Sequence, residues 1–406
     1  MNLATVFILI SMIIDAMGFG LILPVAPRLI MQLTGTDLNG AAPIAGYLIV
    51  AYATMQFFFA PVVGAMSDHF GRRPVLLASM AALTLDYLLM SVAPSITWLF
   101  VGRLIAGVAG ATYPTANAVI SDLYPAEQRA RYFGLIGASW GIGFIAGPAI
   151  GGLLAGFSTR MPFYAAASLA ALNFLLGLAV FPETLASNLR RPFSIARAHL
   201  IGSVQQLRQH SGLMLLLAVI FLYQIAHDAL PSTWAFFSMR QLSWTPQQVG
   251  LSLAAVGITT VIVQGGLIAP IVKRIGEANA VRVGFFTGVL SMAGYAFAST
   301  DWMIYVLIGI GAFFGLAMPS MQSMMSRGVP ADAQGELQGA IAGLQSVSAI
   351  IAPFVMTQLF HWATRPAAGR GFPGAPMLLG AVMLTCAALL FAVAMRRVAT
   401  ATHRTP

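Results

Sequence analysis

Four ionisable side chains lie inside long apolar stretches of this sequence, where a charge is costly. They are Asp15, Asp86, Arg103 and Asp228. On insertion scales a charged side chain at the centre of a membrane helix costs about 2.5–3.5 kcal/mol, so such groups are usually paired or functional. A carboxylate at this depth can load a proton on one side of a membrane and release it on the other. The four residues are therefore predicted to serve proton coupling.

Each of these residues also has a purely structural interpretation. A buried acid such as Asp15 can cap a neighbouring backbone group, and Arg103 needs an acidic or backbone partner whether or not it takes part in function. A rotation of its helix by half a turn would place Asp228 in a helix interface rather than a cavity. Both interpretations stand at this point.

The composition shows that the surroundings of these residues are largely lipid. Of the 406 residues, 58% are hydrophobic and 8% charged, and the mean hydropathy is +0.83. Such a chain cannot cover a water-exposed surface, which argues against a soluble enzyme and against disorder. The single cysteine excludes a disulfide framework, and the histidines show no metal-ligand spacing. The basic residues are scattered between apolar runs, so no nucleic-acid partner is expected.

Runs of about 20 apolar residues predict twelve membrane-spanning helices. Their predicted positions are 4–27, 43–66, 75–93, 96–119, 131–155, 163–181, 213–237, 247–271, 280–299, 302–325, 336–361 and 375–395. Most of the basic residues then fall on the side of the N-terminus, which predicts that both termini are cytoplasmic. The first apolar segment has no charged leader region and is expected to be retained.

The longest polar break in the apolar pattern divides the spans into six and six. We therefore predict an N-terminal six-helix bundle over 1–181, a cytoplasmic linker with an amphipathic helix over 182–211, and a C-terminal bundle over 212–406. The expected fold class is an all-α integral membrane protein with two pseudo-symmetric bundles.

An internal repeat supports this division. An offset of 205 residues superposes Gly71 on Gly276 and Gly110 on Gly315, together with one further glycine and three prolines. Repeated halves are the arrangement expected of a transporter that works around a midplane site. In the same register acids and bases exchange places, which predicts electrostatic attraction between the halves.

The loop between the second and third helices carries a specific order of small and charged residues. It contains Gly64, Asp68, Gly71, Arg72 and Arg73. Gly71 permits a tight turn, the arginines hold the loop on the cytoplasmic side, and Asp68 can pair with a base or cap a helix. We predict that this loop acts in the conformational switch; an ordinary basic loop is the alternative.

The fifth predicted helix carries small residues around a proline, in the order Gly143, Gly147, Pro148 and Gly151. This spacing allows close helix packing and a kink at a moving interface, although simple packing would need the same residues. A nucleophile-type match around Ser139 lies inside this apolar helix and not at a strand-to-helix turn, so it is interpreted as packing.

The loop and the fifth-helix motif resemble the signatures of the major facilitator superfamily and of its antiporters. Over nearly the whole chain the sequence is similar to the twelve-helix drug:proton antiporters that include the class A and class B tetracycline efflux proteins. Further matching stretches are Leu85-Asp86-Tyr87 and Gly102-Arg103. The resemblance implies that Asp15, Asp86 and Arg103 are required for transport and that Gln56 contacts the drug.

Further substrate contacts are predicted from the residue types. Asp15 and His227 supply polar groups, and Phe57, Tyr113 and Trp234 could form part of an adaptable apolar wall, although most aromatic residues of such a chain face lipid or core. One departure from the family is clear. Where tetracycline pumps carry a histidine in the eighth helix and an aspartate in the ninth, this chain has Thr260 and Ser291, so Asp228 is the candidate acid of the second half.

The predicted function is a proton-coupled efflux antiporter that expels amphipathic drugs, tetracycline-like or lipophilic and cationic, from the cytoplasm. It is expected to be a monomer in the lipid bilayer of the bacterial inner membrane, with protons and a small-molecule drug as partners. No metal site and no cofactor beyond the proton gradient are expected; a tetracycline substrate would carry its own Mg²⁺. The alternative is a proton-coupled transporter of a metabolite such as a sugar or an organic acid.

Overall fold

The computed structural model describes residues 2–110, 112–190, 211–329, 334–365 and 371–402. These residues form helices and connections, without a β-strand. The α-helices are α1 (Leu3–Ile22), α2 (Ala26–Thr34), α3 (Leu38–Phe70), α4 (Arg72–Val92), α5 (Ile96–Ala109), α6 (Thr112–Leu123), α7 (Ala126–Leu154), α8 (Met161–Val180), α9 (Ser211–Gln241), α10 (Pro246–Ile262), α11 (Ile268–Ile275), α12 (Glu277–Phe297), α13 (Asp301–Gly311), α14 (Ala317–Arg327), α15 (Gln334–Ala363) and α16 (Ala375–Thr402).

Twelve helical spans in the described part of the chain are long and apolar enough to cross a membrane, which confirms the predicted number. They are α1, α3, α4, α5 with α6, α7, α8, α9, α10 with α11, α12, α13 with α14, α15 and α16. The protein is therefore an all-α, multi-pass membrane protein. Of the predicted linker 182–211, residues 191–210 and their expected amphipathic helix lie outside the described residues.

The first span is shorter than the predicted 4–27. Helix α1 ends at Ile22, and the separate helix α2 begins at Ala26 with Pro27 in its first turn. Proline is tolerated in the first turn of a helix, where its missing N–H would have no partner, but not in the interior. Pro24 and Pro27 therefore divide what the apolar pattern presents as one run.

Three other spans leave α geometry in their interiors. The fourth breaks at Gly110, between α5 and α6. The eighth contains a π-turn at Val263–Leu267, and the tenth contains a 3₁₀ turn at Ala312–Leu316. Such interruptions are tolerated at membrane depth where the freed backbone groups find partners inside the protein.

The chain folds into two compact units. The first comprises Met1–Ala198 and Ser243–Gly257, and the second comprises His199–Leu242 and Ile258–Pro406. The predicted division into bundles at 182–211 stays a prediction. Glycines allow the contact of Ser243–Gly257 within the first unit: Gly250 lies directly against the carbonyl group of Pro148 on α7, and a Cβ at Gly152 would lie 3.0 Å from the Cα of Gln247.

The core of the first unit is built around the contact between α1 and α7. The three motif glycines of α7 lie on the α1 backbone: Gly143 against Ile13, Gly147 against Met17, and Gly151 against Leu21. A Cβ at Gly147 would lie 2.6 Å from the Met17 carbonyl oxygen. Because the lipid offers no hydrophobic driving force, such close approach supplies the van der Waals contact that holds membrane helices together.

The second unit packs α9 against α15 and α16. Its central cluster contains Ile225 and Ala229 of α9 with Ala352 and Met356 of α15. Small residues at the centre again bring helices close together. Because Ile225 and Ala229 flank Asp228 on α9, this cluster packs the segment that carries the acid against α15.

Equivalent positions of the repeat have the same backbone geometry but opposite charge. Gly71 and Gly276 precede α4 and α12 with φ of +109° and +78°, values that favour glycine. In the first unit Arg72 Nε is 2.9 Å from Asp122 Oδ2. In the second, the residues at the same offset, Glu277 and Arg327, form an ion pair with the signs exchanged. Each unit thus pairs these charges internally.

Candidate functional site

The in-span ion pair of the first unit joins Asp86 on α4 to Arg103 on α5. Asp86 is fully buried, and it accepts hydrogen bonds from Arg103 Nη2 and, at 3.3 Å, from Nε. A Cβ at Gly102 would lie 2.5 Å from Asp86 Oδ1, so glycine is needed beside the acid. The guanidinium also lies 5.7 Å from the centre of the Tyr52 ring, at a cation–π distance. Asp86 is thus enclosed together with its base, while the Arg103 side chain remains 16% exposed.

Asp15 lies on α1, outside this pair. Its carboxylate is hydrogen-bonded to the hydroxyl of Thr112, the first residue of α6. Tyr52 is close enough to interact electrostatically with both Asp15 and Arg103. No base pairs with Asp15 among the described residues, so its partners there are neutral. The break at Gly110 between α5 and α6 is what brings Thr112 to the acid.

Gln56 on α3 is hydrogen-bonded to the same helix break. Its Nε2 donates to the Gly110 carbonyl oxygen at 3.2 Å and to Tyr52 Oη at 3.2 Å. The interrupted helix exposes backbone carbonyls that need a donor at membrane depth. In this arrangement the predicted drug contact Gln56 therefore has a structural partner that a ligand would have to replace.

The predicted aromatic contacts lie in different surroundings. Phe57 packs edge-on against the exposed Phe58, with 5.2 Å between the ring centroids. Tyr113 is exposed and packs edge-on against Trp140 at 6.2 Å. Trp234 is only 3% exposed, and its ring contacts Tyr295 at 5.1 Å. Trp234 is thus part of the packed interior of the second unit and offers no open surface to a ligand in this structure.

The polar cluster of the second unit is centred on Asp228 of α9. Its Oδ1 accepts from Gln224 Nε2 at 3.2 Å and lies 3.3 Å from His227 Nδ1, while its Oδ2 accepts from Ser348 Oγ at 3.3 Å. The side chains of Asp228 and His227 are 16% and 50% exposed. The His227 ring stacks on Tyr223 at 6.1 Å. This acid is therefore partly open and held by neutral amide and hydroxyl groups beside a histidine.

The predicted switch loop forms a network of charges at the end of α3. Arg72 binds Asp68 at 2.6 Å and Asp122 at 2.9 Å. Arg73 Nη2 donates to the Leu178 carbonyl oxygen at 2.9 Å. Gly64, by contrast, has open space beside it, so no contact within this unit requires a glycine at this position.

Glu183 completes this loop and was not predicted. Its Oε1 accepts from the Arg72 backbone N–H at 2.8 Å, and its Oε2 accepts from that of Arg73 at 3.2 Å. A carboxylate at the first N–H groups of a helix satisfies donors that have no partner within the helix and favours the helix dipole. An acid directly after the sixth span was the signal available in the sequence.

Thr260 and Ser291 occupy the two positions at which this chain departs from the tetracycline pumps. Ser291 is buried and donates to the Gly288 carbonyl oxygen at 3.1 Å. Thr260 lies partly buried on α10. The described residues also contain no group of three or more His, Cys, Asp or Glu side chains that could hold a metal ion.

Comparisons with known proteins identify the family. A family model for the Major Facilitator Superfamily matches residues 8–353. The chain belongs to this superfamily. It is accordingly a transporter and not an enzyme, and the resemblance inferred from the motifs is confirmed.

Within this superfamily, the chain is similar to tetracycline resistance proteins. The class C tetracycline resistance protein of Escherichia coli is 39% identical over 359 residues, which cover 88% of this chain and 90% of the relative. The class G protein of Vibrio anguillarum is 37% identical and covers 96% and 98%. Among solved structures, the nucleoside transporter NupG has a TM-score of 0.78 at 16% identity and covers 97% and 99%. At that identity it supports the fold alone.

Proposed function

We propose that this protein is a drug:proton antiporter that expels amphipathic, tetracycline-like or lipophilic cationic compounds from the cytoplasm. The observation that carries the proposal is that three carboxylates within membrane spans have different partners. Asp86 is neutralised by Arg103, whereas the described partners of Asp15 are neutral and those of Asp228 are neutral groups and a histidine. Relatives that are named for tetracycline resistance support drug export over the export of a metabolite.

An acid without a fixed base can exchange a proton for a substrate. Inside a membrane, the charge of a carboxylate is costly unless a proton neutralises it or a cationic group of a ligand pairs with it. A proton and a cationic drug therefore compete for Asp15 and Asp228. Because binding of one disfavours binding of the other, the two can move in opposite directions through alternating access without being bound together.

The remaining features of the proposal follow the family. The protein acts as a monomer in the bacterial inner membrane, with both termini in the cytoplasm, and uses the inward proton gradient as its energy source. If tetracycline is a substrate, it is carried with its own Mg²⁺. Asp228, with His227 beside it, takes the place of the titrating groups that are replaced by Thr260 and Ser291.

A transporter of organic anions is disfavoured by the site itself. Such a substrate needs a base at membrane depth, and Arg103 is committed to Asp86. The structures of sugar and nucleoside transporters resemble this protein only at the level of the fold.

Drug susceptibility of an efflux-deficient bacterium tests the function. We expect cells that express the protein to tolerate several-fold higher concentrations of at least one tetracycline, lipophilic cation or phenicol. Cells that express Asp15→Asn at the same membrane level should lose this tolerance. If cells that express the wild type and cells with the empty vector tolerate every compound equally, the proposal of drug export is wrong.

Proteoliposomes test the coupling. The compound found above should accumulate against its gradient only when a pH difference is imposed, and collapse of that difference with a protonophore should abolish accumulation. Uphill movement without a pH difference would contradict proton exchange.

A further inference from the structure

The π-turn at Val263–Leu267 is the most unusual backbone feature of the second unit. It interrupts the eighth span between α10 and α11. Turns of this kind are rare and are found frequently at functional sites. It contains Gln264, followed by Gly265 and Gly266, and open space surrounds the positions where these glycines would carry a Cβ.

The Gln264 side chain is held against a second helix interruption. A Cβ at Gly315, in the 3₁₀ turn Ala312–Leu316, would lie 2.8 Å from Gln264 Nε2 and 3.3 Å from its Cγ. A side chain at position 315 would therefore displace the amide. Two local departures from α geometry, in different spans, bring one polar group to one glycine.

Gln264 differs from Gln56 in having an uncommitted amide. Gln56 lies in the same way against Gly110 of the first unit, and it donates to Tyr52 and to the Gly110 carbonyl oxygen. Gln264 is exposed, and its amide has no hydrogen-bond partner among the described residues. A polar side chain at membrane depth is costly without a partner, which makes it a candidate for binding a ligand or water.

The neighbours of Gln264 extend toward the polar cluster. Phe314, the residue before Gly315, lies 6.3 Å from the His227 ring and 4.5 Å from the Tyr223 ring. His227 lies beside Asp228. Amide, aromatic surface and carboxylate thus follow one another in the second unit, a combination of apolar surface with a few polar groups that is typical of small-molecule sites.

We propose that Gln264 is a specificity-determining residue that hydrogen-bonds a polar group of the exported drug. The half-exposed His227 ring, with the buried Phe314 packed against it, provides the adjoining surface, and Asp228 provides the charge. This inference rests on the proposed function, since the ligand is the exported compound. It predicts selectivity among drugs: those with amide, enol or hydroxyl groups use Gln264, and those without such groups do not.

Equilibrium binding to the purified full-length protein tests this selectivity without transport. The probes are tetracycline with Mg²⁺, chloramphenicol and tetraphenylphosphonium, of which the last has no hydrogen-bonding group. We expect Gln264→Ala to raise the Kd of tetracycline or chloramphenicol about 3- to 10-fold, as for the loss of one hydrogen bond. The Kd of tetraphenylphosphonium should stay within twofold.

Three further variants separate recognition from folding. Gln264→Asn should restore part of the lost affinity because it keeps the amide. Gly315→Ala should reproduce the selective loss by displacing Gln264. Ile262→Ala, which shortens an exposed side chain two residues earlier, should leave all three Kd values unchanged.

The outcomes separate this inference from the function on which it rests. If Gln264→Ala leaves every Kd within twofold, or weakens all three probes equally, Gln264 is not a specificity residue even though export stands. If the selective loss is found while proteoliposomes show no proton-driven transport, the binding role stands and the export function is wrong. If no probe binds the wild type, both are wrong.

Discussion

Asp86 in the first unit and Asp228 in the second are held in opposite ways within their membrane spans. In the first, Asp86 is fully buried, carries Arg103 as a fixed partner and lies near a glutamine whose amide is already bound. In the second, Asp228 is partly exposed among neutral groups and a histidine, and Gln264 has an uncommitted amide. The pair Asp86–Arg103 is thus a fixed electrostatic frame, whereas Asp228, like Asp15 of the first unit, is an acid without a fixed base and can exchange ligands.

Loss of the fixed pair is expected to have the largest effect on stability. Arg103→Ala leaves Asp86 buried without its base, which should cost about 3–5 kcal/mol of folding free energy and abolish export. Thermal unfolding in detergent measures the first effect. The double variant Asp86→Asn with Arg103→Gln should recover much of the stability but not export.

The same measurement on the second unit sharpens the contrast. His227→Gln removes a half-exposed ring that is beside Asp228, and it should change stability by less than about 1 kcal/mol. Equal losses of stability for Arg103→Ala and His227→Gln would contradict the division between a fixed frame and an open site.

Neutralising Asp228 should separate transport from folding. Asp228→Asn keeps hydrogen bonds to Gln224 and Ser348 available, so stability should change by less than about 1 kcal/mol. Uphill export should fall by about 100-fold or more, since the exchangeable proton is lost. Export measured in proteoliposomes at the wild-type rate would remove Asp228 from the mechanism.

Two glycines of α7 offer a matched test of the packing that holds the frame. Gly151→Ala places a methyl group on the backbone of Leu21 and should cost about 1–3 kcal/mol. Gly137→Ala, on the same helix but beside open space, should be neutral or stabilise by up to about 1 kcal/mol. Thermal unfolding of both variants decides this; similar values would show that contact with α1 is not what requires Gly151.

The smallest effect is expected at the start of α4. Glu183→Ala removes the acceptor of two backbone N–H groups of α4, and of two more at Thr184 and Leu185, and should cost about 0.5–2 kcal/mol, while Glu183→Gln keeps an acceptor and should cost less. Helix α12 starts with its own Glu277 in the first turn and should not respond. Hydrogen exchange of the two helix starts measures the difference, and faster exchange in both would contradict a local cap.

The sequence was sufficient for features that depend on composition or on repetition. Apolar length predicted the twelve spans, and the offset of 205 residues predicted that Gly71 and Gly276 hold equivalent turns. The cost of an unpaired charge required a partner for Arg103, which the structure identifies as Asp86. These inferences need no knowledge of how a helix is rotated.

Features that depend on helix rotation could not be predicted. Lipid and protein core are equally apolar, so the pattern does not distinguish the buried Trp234 from the exposed Tyr113. Gln264 could not be singled out because an uncharged amide costs less in a span than a charge does, and the π-turn that orients it has no sequence signal beyond two adjacent glycines. Ser348, which bonds Asp228, comes from a helix 120 residues later in the chain.

The π-turn also implies a route by which such a pump could change its drug range. A π-turn holds one residue more than the α-helical turn it replaces, so the loss of a single codon at Gly265 or Gly266 would restore regular helix. Because the π-turn already accommodates the extra residue, the helix faces on either side would keep their relative orientation, and only the local geometry that holds Gln264 against Gly315 would be lost. Selection for new drugs could therefore act through a one-residue deletion, which comparison by substitutions alone would not detect.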